Sequence, residues 1–107
     1  MEPLLVLTNV PDMASAEKLA HALIESRAAA CVNVLAACRS IYRWRGAVDT
    51  ADEIPLLVKT TVADYPLVET IVRAHHPYDV PELIAVPITH GLPAYLDWVA
   101  KETEKHD

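Results

Sequence analysis

The sequence predicts an α+β fold, a ferredoxin-like βαββαβ unit with an extra C-terminal helix and an antiparallel sheet. Three observations predict it. An apolar run without alternation (LLVLT, residues 4–8) opens the chain. Amphipathic helical stripes recur farther on, and between the first two of them strand-like segments join through a turn near Gly46. The 107 residues fit a single domain, 1–107, large enough to hold one core without disulfides or a structural metal.

Residues 4–8 have the uninterrupted apolarity of a central strand covered on more than one side. Asp12 stands where a helix N-cap belongs, and Ala16, Leu19, Ala20, Leu23 and Ile24 repeat behind it at helical spacing. Glu17, His21 and Glu25 fall on the opposite, solvent face. Residues 30–44 turn to strand chemistry, with Ser40, Tyr42 and Trp44 on one face and Arg39, Ile41 and Arg43 on the other. A turn around residues 46–51 leads to a return strand at 53–61, so the second and third strands form a long hairpin. Pro55 marks an edge or a bulge in that return strand. Such a hairpin extends past so small a body, and its projecting apolar part calls for a partner.

A second helix starts near residues 64–66, carries Val68, Ile71, Val72 and His75 inward, and stops at Pro77. Residues 82–89 form the last strand, which Pro87 places at a sheet edge. Leu92, Tyr95, Leu96 and Val99 give one face of the C-terminal helix, and the polar tail KETEKHD frays from it. In this topology the first and third strands are central and the second and fourth are edges.

Composition narrows the function. Nine basic against fifteen acidic side chains give a formal charge of -6, a field that repels phosphate backbones and argues against nucleic acid. The first ten residues begin with an acid and hold too short an apolar run for a signal peptide or a membrane span, which predicts a cytoplasmic protein. A hydrophobic share of 52% without counting glycine is high, and a small domain with surplus apolar surface hides it against copies of itself. Cys31 and Cys38 lack Cys-x-x-Cys metal spacing and read as small, partly buried thiols.

Several chemistries lack their parts. No Cys-x-x-Cys follows the first strand, the central strands carry no aromatic residues for stacking bases, and two glycines make no phosphate cradle. No nucleophile pairing is legible, so the expectation is no enzyme and no catalytic residue. What remains is AHHPYDVPE, residues 74–82. Adjacent helical side chains diverge by about 100° and could not grip one ion together. Pro77, however, pushes His76 out of the helical region and can splay it from His75. Two readings therefore stand: a metal contact through His75 and His76, or a helix end where imidazole meets the negative end of the dipole. Lys59, on a strand expected to be central, needs an anionic partner, with Glu82 and Asp79 as candidates, or a route to solvent.

The motifs Ala29-Ala30-Cys31-Val32-Asn33, Ser40-Ile41-Tyr42-Arg43-Trp44 with Gly46, and Val58-Lys59-Thr60-Thr61 occur in order. His76-Pro77-Tyr78 with Pro81-Glu82, then Tyr95-Leu96-Asp97-Trp98, continue the series. Together they resemble the divalent-cation tolerance (CutA) family from the first strand to the last helix. The resemblance implies a compact homotrimer, with clefts between subunits like those of PII-type signalling trimers, tied to tolerance of copper and other divalent metals. In some members copper is assigned to a histidine pair matching His75 and His76 plus a cysteine near the end of the first strand. Leu7-Thr8-Asn9 occupies that stretch here and offers no thiol, which leaves imidazole ligands suited to Cu(II), zinc or nickel. The alternative is a regulatory trimer that binds a small anionic ligand in its clefts, using Tyr42, Trp44, Lys59, Tyr78, Glu82 and Trp98.

Overall fold

The computed structural model describes residues 2–105. Its elements run β1 (Pro3–Val10), α1 (Met13–Glu25), β2 (Cys31–Val34), β3 (Cys38–Trp44), β4 (Ala47–Thr61), α2 (Tyr65–His75), β5 (Leu83–Pro87) and α3 (Pro93–Glu102). The sheet order is β2-β4-β1-β5, all neighbours antiparallel, with β3 paired to the outer part of β4. β1 and β4 are thus central, as the unbroken LLVLT run suggested, and β5 with its Pro87 lies at the edge.

The strand expected over residues 30–44 is in fact two. Residues 35–37 belong to neither β2 nor β3, and β4 changes partner across that break, from β3 at residues 47–53 to β2 at 56–59. Pro55 sits in the break, which explains a proline inside a central strand: it has no N–H to donate, and its carbonyl accepts from Leu35 N–H at 3.0 Å. The turn is also tighter than residues 46–51. Arg45 and Gly46 alone make it, both with positive φ (50° and 82°), the backbone of a two-residue turn whose twist matches the flanking strands. The hairpin of β3 with outer β4 projects from the body. The radius of gyration is 14.4 Å, against about 13 Å for a compact chain of this length.

One face of the sheet is fully covered. Val6, Val10, Leu56 and Val58 meet Ala16, Leu19 and Leu23 of α1 and Val68 and Val72 of α2, and these side chains form the buried core. On the other face Leu5, Leu7, Leu57 and Lys59 are half-buried, so β1 is not covered on both sides within one chain. α3 packs against β4 and β1 but buries only Val99 fully. Leu92, expected on one helix face with Tyr95, Leu96 and Val99, is instead the N-cap before the helix and is 71% exposed. The tail does not fray at once: Lys105 Nζ reaches Arg27 O and Asp64 Oδ1, each at 2.7 Å, while His106 and Asp107 lie outside the described residues.

Asp12 caps α1, its Oδ1 accepting from Ser15 N–H at 2.7 Å. That backbone hydrogen bond holds the Asp12 carboxyl below its ordinary pKa. A depressed folded-state pKa contributes stability that is present above the unfolded value and lost as pH falls through the folded one. Thermal midpoints of Asp12→Ala and the parent should therefore differ at neutral pH and converge in acid. A pH-independent difference would show that the carboxylate charge is irrelevant to the cap.

Candidate functional site

Pro77 has the effect expected of it. α2 ends at His75, and His76 takes an extended backbone (φ −84°, ψ 133°) as C-cap, its N–H still donating to Val72 O at 2.8 Å. The two imidazoles separate completely. His75 is exposed rather than inward-facing, because the helix turns its last residue past the edge of the core. His76 is only 8% exposed. Its Nε2–H donates to Asn9 O at 2.6 Å, and its Nδ1 accepts from Tyr78 N–H at 3.2 Å. Both ring nitrogens are thereby engaged with backbone, fastening the end of α2 to the end of β1.

The following loop is fastened at its other end as well. Thr8 Oγ1, fully buried, donates to Glu82 O at 2.7 Å, and Asn9 Nδ2 reaches Glu82 Oε1 at 3.4 Å. Between these anchors Tyr78 stacks obliquely on His76, ring centroids 4.7 Å apart. The phenol faces Glu53 and Tyr42. Burial first, then the Glu53 carboxylate and Tyr42, push its pKa above the ordinary phenol value.

The loop and the projecting hairpin together enclose an open cavity of about 740 Å³. Tyr42, Trp44 and Tyr78 form its aromatic walls, and Glu53, Asp79 and Glu82 bring carboxylates to its lining. The lining contains one cationic side chain, Arg45, whose guanidinium lies 5.4 Å from the centre of the Trp44 ring. Glu53 is 8% exposed, and no cation stands within ion-pairing distance of it among the described residues.

The six residues expected to share a ligand site separate into two groups. Tyr42, Trp44, Tyr78 and Glu82 line the cavity; Lys59 and Trp98 do not. Lys59 pairs across the sheet with Cys31, and its Nζ contacts Asn33 Oδ1 and lies 4.0 Å from Cys31 Sγ, so neither Glu82 nor Asp79 is its partner. Trp98 sits on α3 beside Tyr95, with ring centroids 5.6 Å apart. The Tyr95 phenol borders Cys31, and burial, then that thiol, raises its pKa. Cys31 and Cys38 are both free thiols. Glu53 was not anticipated. Strand parity places it on the face of Ser40, Tyr42 and Trp44, and the tight turn at residues 45–46 is the signal that reveals this.

Among the described residues no three His, Cys, Asp or Glu side chains gather closely enough to hold a metal ion. No described helix is long and apolar enough to cross a membrane.

The chain is a small antiparallel α+β protein with a covered core face, a half-open second face and a loop-and-hairpin cavity. Residues 4–102 match the CutA1 divalent ion tolerance protein family, and the chain belongs to that family. It is 48% identical over 98 residues to the divalent-cation tolerance protein CutA of Thermus thermophilus, covering 92% of this chain and 95% of that one. Its fold is similar to that of CutA from Xylella fastidiosa, with TM-score 0.94, 40% identity, and 97% and 100% of the two chains covered. It is also similar to the periplasmic divalent cation tolerance protein CutA from Archaeoglobus fulgidus, with TM-score 0.92, 33% identity, and 95% and 99% covered.

Proposed function

We propose that this protein acts as a non-enzymatic homotrimer in the response to divalent metal ions, and that it meets Cu(II) or another divalent cation through His75 and His76. The observation that carries the reading is the family match across residues 4–102. Self-association is supported by apolar surface that one chain leaves uncovered: the half-buried Leu5, Leu7 and Leu57, and beside them Ile84 and Val86 on the edge strand. The proposed location is the cytoplasm.

The donor set fits a weak site. His75 has no hydrogen-bond partner among the described residues and can offer a ring nitrogen to an ion. His76 must first release Asn9 O or Tyr78 N–H. The thiol that some family members bring is replaced by Thr8, whose hydroxyl is committed to Glu82 O. Titration calorimetry with Cu(II) should give binding at micromolar or weaker affinity that His75→Ala removes. Indistinguishable curves for the parent and His75→Ala/His76→Ala would sink the metal reading.

A second reading, a regulatory trimer that takes a small molecule, is favoured by the cavity of about 740 Å³, within the usual size range of ligand pockets. The anionic ligand expected in clefts between subunits would need a neighbouring chain to bring Lys59 to this cavity, since Lys59 does not line it within one chain.

A further inference from the structure

We propose that Cys31 and Lys59 form a peroxide-driven covalent switch: oxidation of the Cys31 thiol lets the Lys59 amine close a sulfur–nitrogen bond that stitches β2 to β4. The two residues are direct partners across the antiparallel ladder, and Lys59 Nζ lies 4.0 Å from Cys31 Sγ. Asn33, two residues farther along β2, contacts the same Nζ through its Oδ1 and holds the amine over the strand that carries the thiol. The Tyr95 hydroxyl of α3 hydrogen-bonds the sulfur as well.

Cys31 is free and half-buried, with an ammonium and a phenol beside it. Reactive cysteines occupy such electropositive, partly exposed surroundings, whereas inert ones are sealed among apolar side chains. The chain's other thiol cannot resolve an oxidised Cys31. Cys31 pairs with Lys59 and Cys38 with Glu53, which stand on β4 about 20 Å apart at a strand's rise per residue. A disulfide needs Cα atoms within about 7 Å. Lys59 is the nucleophile the fold supplies instead.

Hydrogen peroxide is the sole co-reactant. The sulfur takes one oxygen from it, giving a sulfenic acid and one water, so sulfur is oxidised and the peroxide reduced. The Lys59 ammonium gives one proton to solvent, and its freed lone pair attacks that sulfur. The S–O bond breaks, and the hydroxyl leaves as a second water with another proton from the nitrogen. The positive charge of Lys59 is lost in the step. A small dithiol reverses it, restoring thiol and amine while its own sulfurs join in a disulfide.

Both reacting atoms belong to one chain, so self-association neither completes nor removes the pair. This end of the half-open face is bordered by the chain's own α3 through Tyr95. Contacts between subunits routinely hold water, and an oxidant close to water in size can follow it to the sulfur in the assembled protein.

The test is peptide mapping by mass spectrometry of the full chain in its native assembly, after exposure to hydrogen peroxide with and without the sulfenic-acid trap dimedone. The expected product joins the peptides carrying Cys31 and Lys59 with two hydrogens fewer than their sum, and dithiothreitol removes it. Lys59→Arg, which keeps the charge but not the amine, should abolish the link and raise dimedone capture at Cys31 several-fold. Cys38, opposite Glu53, should give dimedone adducts without a link, and protein unfolded in urea before exposure should lose the link with its register. Sulfenic or sulfinic acid at Cys31 with Lys59 unlinked would overturn the proposal. So would a Cys31 that peroxide leaves unchanged while Cys38 is oxidised, or one that ends in a disulfide between chains.

Discussion

Replacing His76 with alanine should destabilise the fold by about 2–4 kcal/mol, whereas the same change at His75 should stay within about 0.5 kcal/mol. The asymmetry follows from what each ring does. His75 is exposed and has no partner among the described residues, so its removal leaves no polar group stranded. His76 is buried and makes two hydrogen bonds to backbone, at 2.6 Å to Asn9 O and 3.2 Å from Tyr78 N–H. Alanine forfeits both, leaves a carbonyl and an amide without their protein partners, and opens the space the ring filled. Urea midpoints measured at one fixed protein concentration would read the difference.

A glutamine at position 76 offers one amide donor and one carbonyl acceptor on a side chain of similar reach. It should recover about half of the loss, provided hydrogen bonding rather than ring packing dominates. Equal midpoints for the His75 and His76 alanine variants would refute the bracket role. The same bracket places Tyr78 against the cavity, so loosening His76 should also free the Tyr78 ring.

Much of this was legible in the chain, and the parts that were not share a cause. Leu4 to Thr8 and Pro87 revealed which strands are central and which is an edge, because burial and a missing N–H leave marks in composition. Pro77 revealed the backbone state of His76 through a purely local clash. What could not be read were relations across elements. Spacing put His75 on the inward stripe of α2, but a helix's final residue can overrun the core it packs on. Parity put Tyr42 with Trp44 correctly, yet nothing local says that Lys59 lies with Cys31 and Asn33, away from the cavity. Glu53 was missed because a turn drawn too long erased the register that pairs it with Cys38.

Lysines at positions 84 and 86 should dissociate the protein into single chains without unfolding them. Light scattering should give about three times the chain mass of 11.8 kDa for the parent and a value near 11.8 kDa for Ile84→Lys/Val86→Lys. Within one chain these edge-strand side chains are 56% and 49% exposed, so each substitution should alter the fold's own stability by no more than about 0.5 kcal/mol. They are also continuous with Leu7 and Leu5, to which Ile84 and Val86 pair across the sheet, and through them with Leu57. Subunits joined over that face would seal every introduced ammonium in apolar surroundings, at several kcal/mol per site and at each symmetry-related copy. Lysine is also the residue that natural edge strands use to refuse pairing. A double variant that keeps the parent's mass would place the contact elsewhere, with the exposed apolar residues of the hairpin, Ile41 and Val48, as the next surface to charge.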